Sequence, residues 1–303
     1  MSVVAHLNGV SADPTHSNRL AMGGPHQFLL NKHLPLPRKQ AAAVVSLLPG
    51  PTTGQTAEQA VDSLARQALR HQAVRHPYLK ALALGELPDQ HWALRDFASQ
   101  YHGYSAHFPR YLTAVISKLD NPDHRQALLE NLTEESGHYE QEELEALAAI
   151  GIAPEWIVGL PHPELFRRFR RALGVMDADT CSEAIEVVCW REQFLAILTG
   201  GSAAEALGAL GLGTETIVQT IYQPFVQAIE RLGLDPRDSV FFPLHTAVDD
   251  HHQATLRDIA IDLAGTAQGR LDLSKGMHKA LALRCSFWSW LHQRAMQPDG
   301  PQG

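Results

Sequence analysis

Cysteine is scarce in this chain of 303 residues. The three cysteines, Cys181, Cys189 and Cys285, form neither a Cys-x-x-Cys pair nor a disulfide framework. No apolar run reaches the roughly 18–20 residues of a membrane span, and the first residues lack the basic and then apolar segments of a secretory signal. These absences predict a protein of the reducing cytoplasm that does not bind membranes.

Positive charge is also in short supply, with 25 basic residues against 33 acidic ones and a net charge of −8. A protein that coats nucleic acid needs a clustered basic face, so nucleic acid is not an expected partner. The chain has no P-loop, no Gly-x-Gly-x-x-Gly after a strand and no Gly-x-Ser-x-Gly elbow. Histidine, by contrast, is abundant at 17 residues. In a cysteine-poor chain this favours a metal site with oxygen and nitrogen ligands.

Strand-like alternation is absent, and almost everything after Thr56 has helical periodicity. Thr56 and Gln59 predict a capping box at the start of the first helix. Residues 1–55, rich in proline and glycine, predict an extended or partly ordered arm before a helical domain over 56–297. We therefore predict an all-α fold of about seven or eight helices. Later helices are expected over 88–119, 123–149, after Pro163, from a Thr180–Glu183 cap to Gly200, and over 203–232, 237–264 and 272–296.

The segment FFPLHTAVDDHHQATL carries the sharpest chemical pattern. His245, Asp249 and His252 stand at i, i+4 and i+7, so a continuous helix would place them on one face. Two imidazoles and a carboxylate suit iron or manganese. The alternative is a solvated polar face, but the neighbouring apolar residues indicate that this helix is buried.

Two glutamates are further candidates. Glu135 with His138 forms Glu-x-x-His, a spacing found in di-iron helices, although acidic helix faces are common. Glu215 follows an apolar, glycine-rich stretch, where an ionised carboxylate needs a partner, either a metal or a buried cation. Glycines weaken a helix, so those before Glu215 suggest that another backbone approaches closely there.

His162 precedes Pro163, which is expected to open a helix. The positive end of a helix dipole disfavours imidazolium, so the ring would stay neutral, as a metal ligand must. Tyr101, Tyr104 and Phe108 share a helix face; they either line a pocket or belong to the core.

Together these segments resemble the haem-oxygenase-like di-iron oxidases and oxygenases, whose fold is shared with thiaminase II of the TenA type and the quinone-cofactor synthase of the PqqC type. The resemblance covers about residues 57–265. It depends on HPYLKALALGEL, FPRYLTAV, NLTEESGHY, HPELFRRF, ALGLGTE and FFPLHTAVDDHH. It implies a haem-oxygenase-like helical bundle. It also implies six metal ligands: Glu135, His162, Glu215, His245, Asp249 and His252. His138 is the alternative to His162 as the first histidine ligand.

The resemblance further implies two Fe(II) per chain and a reaction of O₂ with a small amino-acid- or fatty-acid-like substrate. The outcomes known in the family are N-oxygenation, oxidative decarboxylation and C–C cleavage. Glu135, Glu215 and Asp249 would be catalytic as well, since bridging carboxylates shift when iron is oxidised. An external electron donor and a homodimer are expected by analogy only. Two alternatives stay open: a metal-free, thiaminase-II-like hydrolase with Cys189 as nucleophile, and a non-catalytic helical scaffold.

Overall fold

The computed structural model describes residues 54–176, 183–247 and 249–297, and it describes no side chain over 247–252. This part of the chain contains helices and no strands, which confirms the predicted all-α class. The helices are α1 (Ala57–Arg70), α2 (Pro77–Leu84), α3 (Gln90–Ser105), α4 (Phe108–Ile116), α5 (Pro122–Glu135), α6 (Gln141–Ala149), a 3₁₀ turn (Pro154–Trp156), α7 (His162–Ala172), α8 (Ile185–Gly200), α9 (Ala203–Leu207), a π-helix (Gly208–Glu215), α10 (Thr216–Leu232), α11 (Phe241–Ala247), α12 (Asp249–Leu263) and α13 (Ala267–Ala295).

The helices outnumber the seven or eight predicted because long predicted helices are divided. The helix expected over 88–119 breaks before α4, whose first turn holds Pro109. The one expected over 123–149 breaks at Gly137, whose φ of +88° a side-chain-bearing residue rarely adopts. The capping box of Thr56 and Gln59 is confirmed. Thr180 and residues 1–53 of the predicted arm lie outside the described residues.

The π-helix packs against α13 with almost no side chain between the two backbones. A Cβ added at Gly208 would collide with the carbonyl group of Leu273, and one added at Gly276 would collide with that of Glu205. The buried carboxylate of Glu205 also accepts hydrogen bonds from Lys275 Nζ at 2.8 Å and Lys279 Nζ at 2.7 Å. The close backbone approach predicted from the glycines is therefore present.

Aromatic rings fill the centre of the bundle. The Phe97 and Phe225 rings lie 4.1 Å apart between centroids, and Phe225 stacks on Phe242 at 5.5 Å. Beside them, Tyr104 stacks on Trp190 at 3.9 Å with an interplanar angle of 2°. Each such ring stabilises the fold by roughly 1.5–3 kcal/mol through removal of apolar surface from water. None of the described helices has both the length and the hydropathy to cross a membrane.

The first prediction concerns the contact between the π-helix and α13. Gly208→Ala should destabilise the protein by about 1–3 kcal/mol or more, because the new methyl group meets backbone that cannot rotate away. Gly200→Ala is the matched control, since a Cβ there meets nothing within 4 Å. Alanine should be neutral or stabilising at that position, by up to about 1 kcal/mol. Chemical denaturation measures the free energy of unfolding of both variants, and equal values for the two would contradict the close contact.

Histidines line the seam between the α1–α2 connection and α13. The His71 ring lies 6.4 Å from that of His278, and the His76 ring 6.2 Å from that of His292. Burial, followed by the charge of His292, lowers the pKa of His76 to about 4. Burial, and to a smaller extent the charge of His278, also lowers the pKa of His71. Protonation of His71 and His76 is therefore less favourable in the folded state than in the unfolded state.

This resistance predicts a pH-dependent stability. A histidine pKa that is lower in the folded than in the unfolded state contributes stability above the unfolded value, about 6.5. That contribution is lost as the pH falls from about 6.5 towards 4. In His76→Asn, which retains a side chain able to cap α2, the decline in unfolding free energy over this window should be shallower. His91→Asn, at an exposed position of α3, should follow the wild-type curve; if His76→Asn does so too, the prediction is wrong.

Candidate metal centre

Three side chains from three helices converge in the interior. Glu135 ends α5, His162 begins α7 and His245 lies in α11. Their potential ligand atoms all lie within 4.8 Å of one another. Glu135 and His162 are buried, with 4% and 6% of their surface exposed, and His245 is half-buried. No other group of three such residues meets this criterion in the described part of the chain.

The segment between Glu135 and His162 returns to its starting point. Gly137 reverses the chain after α5, and a side chain there would collide with the backbone of Leu160. The Gly159 N–H then donates to the Gly137 carbonyl oxygen at 2.8 Å. This closure places the first residue of α7 beside the last residue of α5.

The two nitrogens of His162 have different surroundings. Nε2 lies 2.9 Å from the Tyr139 hydroxyl, a hydrogen-bonding distance. Nδ1 lies 3.0 Å from Glu135 Oε2, but the angles do not suit a hydrogen bond, and Nδ1 has no hydrogen-bond partner within the described residues. The imidazole and the carboxylate thus face a common space rather than each other.

His245 is oriented by its own helix. Its Nδ1 lies 2.6 Å from the Phe241 carbonyl oxygen. Because a carbonyl can only accept, Nδ1 carries a proton and donates it to this oxygen. A histidine that binds a metal through one nitrogen typically donates the N–H of the other in this way.

A cavity of about 30 Å³ adjoins these residues. It has room for only one or two water-sized groups. Glu215, the last residue of the π-helix, also lines it, as do Tyr101 and Tyr104 of α3 and Phe108 of α4. Because the helix ends at Ser105, the prediction that these three aromatic residues share one helix face is wrong, although all three line the cavity. π-helical turns are frequent at functional sites because they shift the side chains that follow them.

Two tyrosines lie close to the candidate ligands, Tyr139 beside His162 and Tyr222 in the lining of the cavity. Burial, followed by the charges of Glu135 and Glu134, raises the pKa of Tyr139 above its usual value. Burial, followed by the neighbouring Tyr101, raises that of Tyr222. Both phenols therefore keep their protons across the ordinary pH range.

The remaining candidates are placed as follows. Asp249 and His252 belong to α12, but their side chains lie outside the described residues. His138, the competitor of His162, is exposed in the turn after α5. Cys189, the nucleophile of the thiaminase-like alternative, is exposed on α8 and is not among the residues that line the cavity.

Sequence reasoning missed Tyr139 and Tyr222. Tyr139 follows Glu135 by four residues and lies within the quoted motif, but only the turn at Gly137 brings it to His162. Tyr222 lies about two helical turns beyond Glu215, a spacing that could have identified it.

The donor set suits iron. Carboxylate oxygens and neutral imidazole nitrogens bind Fe(II), and an arrangement with few protein ligands leaves positions for O₂. The position of His162 Nδ1, buried 3.0 Å from a carboxylate oxygen without a hydrogen bond, is the geometry that two ligands of one ion would show. The residues present therefore fit an iron site.

Comparisons with known proteins agree with this chemistry. The family described as iron-containing redox enzyme matches residues 95–285. A 4-aminobenzoate synthase from Chlamydia muridarum is 27% identical over 184 residues, which are 59% of this chain and 68% of that protein. A CADD-like protein of unknown function from Nostoc punctiforme has a TM-score of 0.61 at 17% identity, covering 78% of this chain and 99% of the other.

A domain with a haem oxygenase-like fold from Shewanella denitrificans has a TM-score of 0.59 at 15% identity and covers 80% of this chain and 93% of that one. These structural similarities confirm the haem-oxygenase-like fold. The family match extends over most of the chain, from α3 into α13, and includes every candidate ligand. The chain belongs to the iron-containing redox enzyme family and is an iron-dependent oxidoreductase of haem-oxygenase-like fold.

Proposed function

We propose that the protein is a non-haem di-iron oxygenase or oxidase that uses O₂ to oxidise a small amino-acid- or fatty-acid-like substrate. The observation that carries this proposal is the convergence of Glu135, His162 and His245 beside a cavity that Glu215 also lines. N-oxygenation, oxidative decarboxylation and C–C cleavage are the reactions that the resemblance offers. The family match supports redox chemistry, and the similarity to 4-aminobenzoate synthases supports a small molecule as the product.

The residues that would hold the two irons are Glu135, His162, Glu215, His245, Asp249 and His252. Iron bound there would supply the binding and reduction of O₂. The three carboxylates among these ligands would act in catalysis, since they can change their binding mode as the iron is oxidised. Electrons come from the substrate or from an external donor.

The chain's own residues prepare the ligands. With Nδ1 on iron, His162 would donate Nε2–H to the neutral Tyr139 oxygen, which lies 2.9 Å away. His245 donates Nδ1–H to the Phe241 carbonyl, which would leave Nε2 to bind iron. Hydrogen bonds of this kind fix the tautomer and orientation of a ligand before the metal binds. The aromatic walls exclude bulk water from the reaction.

Iron content tests the proposal directly. After anaerobic reconstitution with Fe(II) and desalting, the wild-type protein should hold about two irons per chain and show a transient visible band on exposure to O₂. Asp249→Ala should lose bound iron and keep its helical circular dichroism. Asp258→Ala is the control, because this residue lies on the same helix with 79% of its side chain exposed. A wild-type protein that binds no iron, or an Asp249→Ala variant with full iron content, would refute the proposal.

The orienting role of Tyr139 gives a second test. Tyr139→Phe should lower the affinity for Fe(II) about tenfold to hundredfold, because the imidazole of His162 loses the partner that fixes its tautomer. Tyr78→Phe removes a buried hydroxyl that has no hydrogen-bond partner in the described part of the protein, so it should leave the affinity unchanged. Competition with a chelator measures the Fe(II) affinity of both variants. Equal affinities for Tyr139→Phe and wild type would show that the hydroxyl does not orient the ligand.

A further inference from the structure

One hydroxyl group in the lining of the cavity makes no hydrogen bond. Ser105, the last residue of α3, lines the cavity and is 9% exposed. Its Oγ has no hydrogen-bond partner within the described residues. A buried hydroxyl of this kind costs stability, because it has lost its bonds to water and has gained none in their place. Its presence in a native interior therefore indicates a role other than stabilising the fold.

The other hydroxyl groups in this lining are bonded. The hydroxyl oxygens of Tyr101 and Tyr222 lie 2.8 Å apart. The Tyr104 hydroxyl accepts from a buried arginine of α13 at 3.4 Å, and Thr214 Oγ1 donates to a carbonyl oxygen of the π-helix at 3.1 Å. Among the hydroxyl groups that line the cavity, Ser105 is thus the exception in the described part of the chain.

Ser105 also departs from the way in which this protein satisfies the hydroxyl groups of its helices. A serine or threonine in a helix can donate to the carbonyl oxygen four residues earlier. Six residues in helices or directly after them do so at 2.7–3.1 Å, namely Thr113, Thr133, Ser136, Thr199, Ser286 and Ser289. The equivalent carbonyl for Ser105 belongs to Tyr101, and Ser105 makes no bond to it. The hydroxyl is left available for a ligand.

The size of the cavity limits what that ligand can be. A volume of about 30 Å³ admits one or two water-sized groups. The organic substrate of the proposed function is too large for this space, whereas O₂, its other reactant, has only two atoms. Part of the wall is apolar, formed by Phe108, Val218 and Phe241, and suits a non-polar gas. Of the two reactants, O₂ is the one that fits.

We infer that the Ser105 hydroxyl donates a hydrogen bond to O₂ in this cavity. The inference rests on the proposed function and assigns a residue that acts on the gas. A serine hydroxyl rotates to suit its acceptor. Negative charge develops on the oxygen atoms as O₂ is reduced, and hydrogen bonds to a charged acceptor are about twice as strong as neutral ones. The bond therefore strengthens during reduction, which is how a donor already in place favours a reaction.

The stability of the metal-free protein tests whether the hydroxyl lacks a structural partner. Ser105→Ala removes a single oxygen and no hydrogen bond, so its denaturation midpoint should equal or exceed that of the wild type. Ser239→Ala is the matched control, because Ser239 is also buried, at 3% exposed, but donates to the Asp235 carbonyl oxygen at 2.9 Å. Its midpoint should fall below that of the wild type.

Nitric oxide tests the hydrogen bond itself, since it is a diatomic molecule of similar size that binds Fe(II) reversibly. In iron-loaded protein under nitrogen, Ser105→Ala should keep the wild-type iron content but bind nitric oxide about twofold to tenfold more weakly. The infrared N–O stretching frequency of the wild type should shift on transfer from H₂O to D₂O, and that of the variant should shift less. Ser286→Ala, at an exposed position of α13, should match the wild type in both measurements.

The outcomes separate this inference from the proposed function. Equal nitric oxide affinities and equal isotope shifts for Ser105→Ala and wild type would overturn the inference. A metal-free Ser105→Ala midpoint as low as that of Ser239→Ala would also overturn it, because the hydroxyl would then have a structural partner, and so would loss of iron from Ser105→Ala. In each of these cases normal iron binding by the wild type leaves the proposed function standing. A wild-type protein that binds no iron refutes the proposed function and this inference together.

Discussion

The close contact that α13 makes with α9 and the π-helix positions one side of the candidate site. Gly208 and Gly276 let the backbones meet, and neither contact contains a side chain that could yield. The π-helix ends at Glu215 and continues into α10, which carries Tyr222. The backbone contact therefore positions a candidate ligand and a residue of the cavity lining relative to the rest of the bundle.

A second constraint is the cost of burying polar groups. Charged and hydrogen-bonding side chains are expensive in a low-dielectric interior unless they are satisfied. The protein meets part of this cost beside the site, where Tyr139 contacts His162 and the Phe241 carbonyl contacts His245. One ring nitrogen of each histidine is therefore held in place by a neighbouring group of the protein.

Local patterns predicted the local features of this fold. The capping box at Thr56 and the all-helical class follow from side-chain types and periodicity, and both are confirmed. The division of the helix after Glu135 was missed, because the positive φ of Gly137 depends on contact with Leu160, which is distant in sequence. The choice between His138 and His162 depended on the same turn. The contact of Tyr139 with His162 could not be predicted, since it depends on the return of the chain from α6 to Gly137.

The geometry also separates the metal-binding interpretation from the metal-free ones. A scaffold that used Glu135 and His162 only for stability would align them as a hydrogen-bonded pair, because buried polar groups are almost always satisfied. Here the two atoms approach to 3.0 Å without that alignment. A thiaminase-like hydrolase would need its nucleophile at the cavity, whereas Cys189 is exposed on α8. The approach of His162 Nδ1 to Glu135 Oε2 at 3.0 Å without a hydrogen bond is the arrangement that the proposed iron site requires.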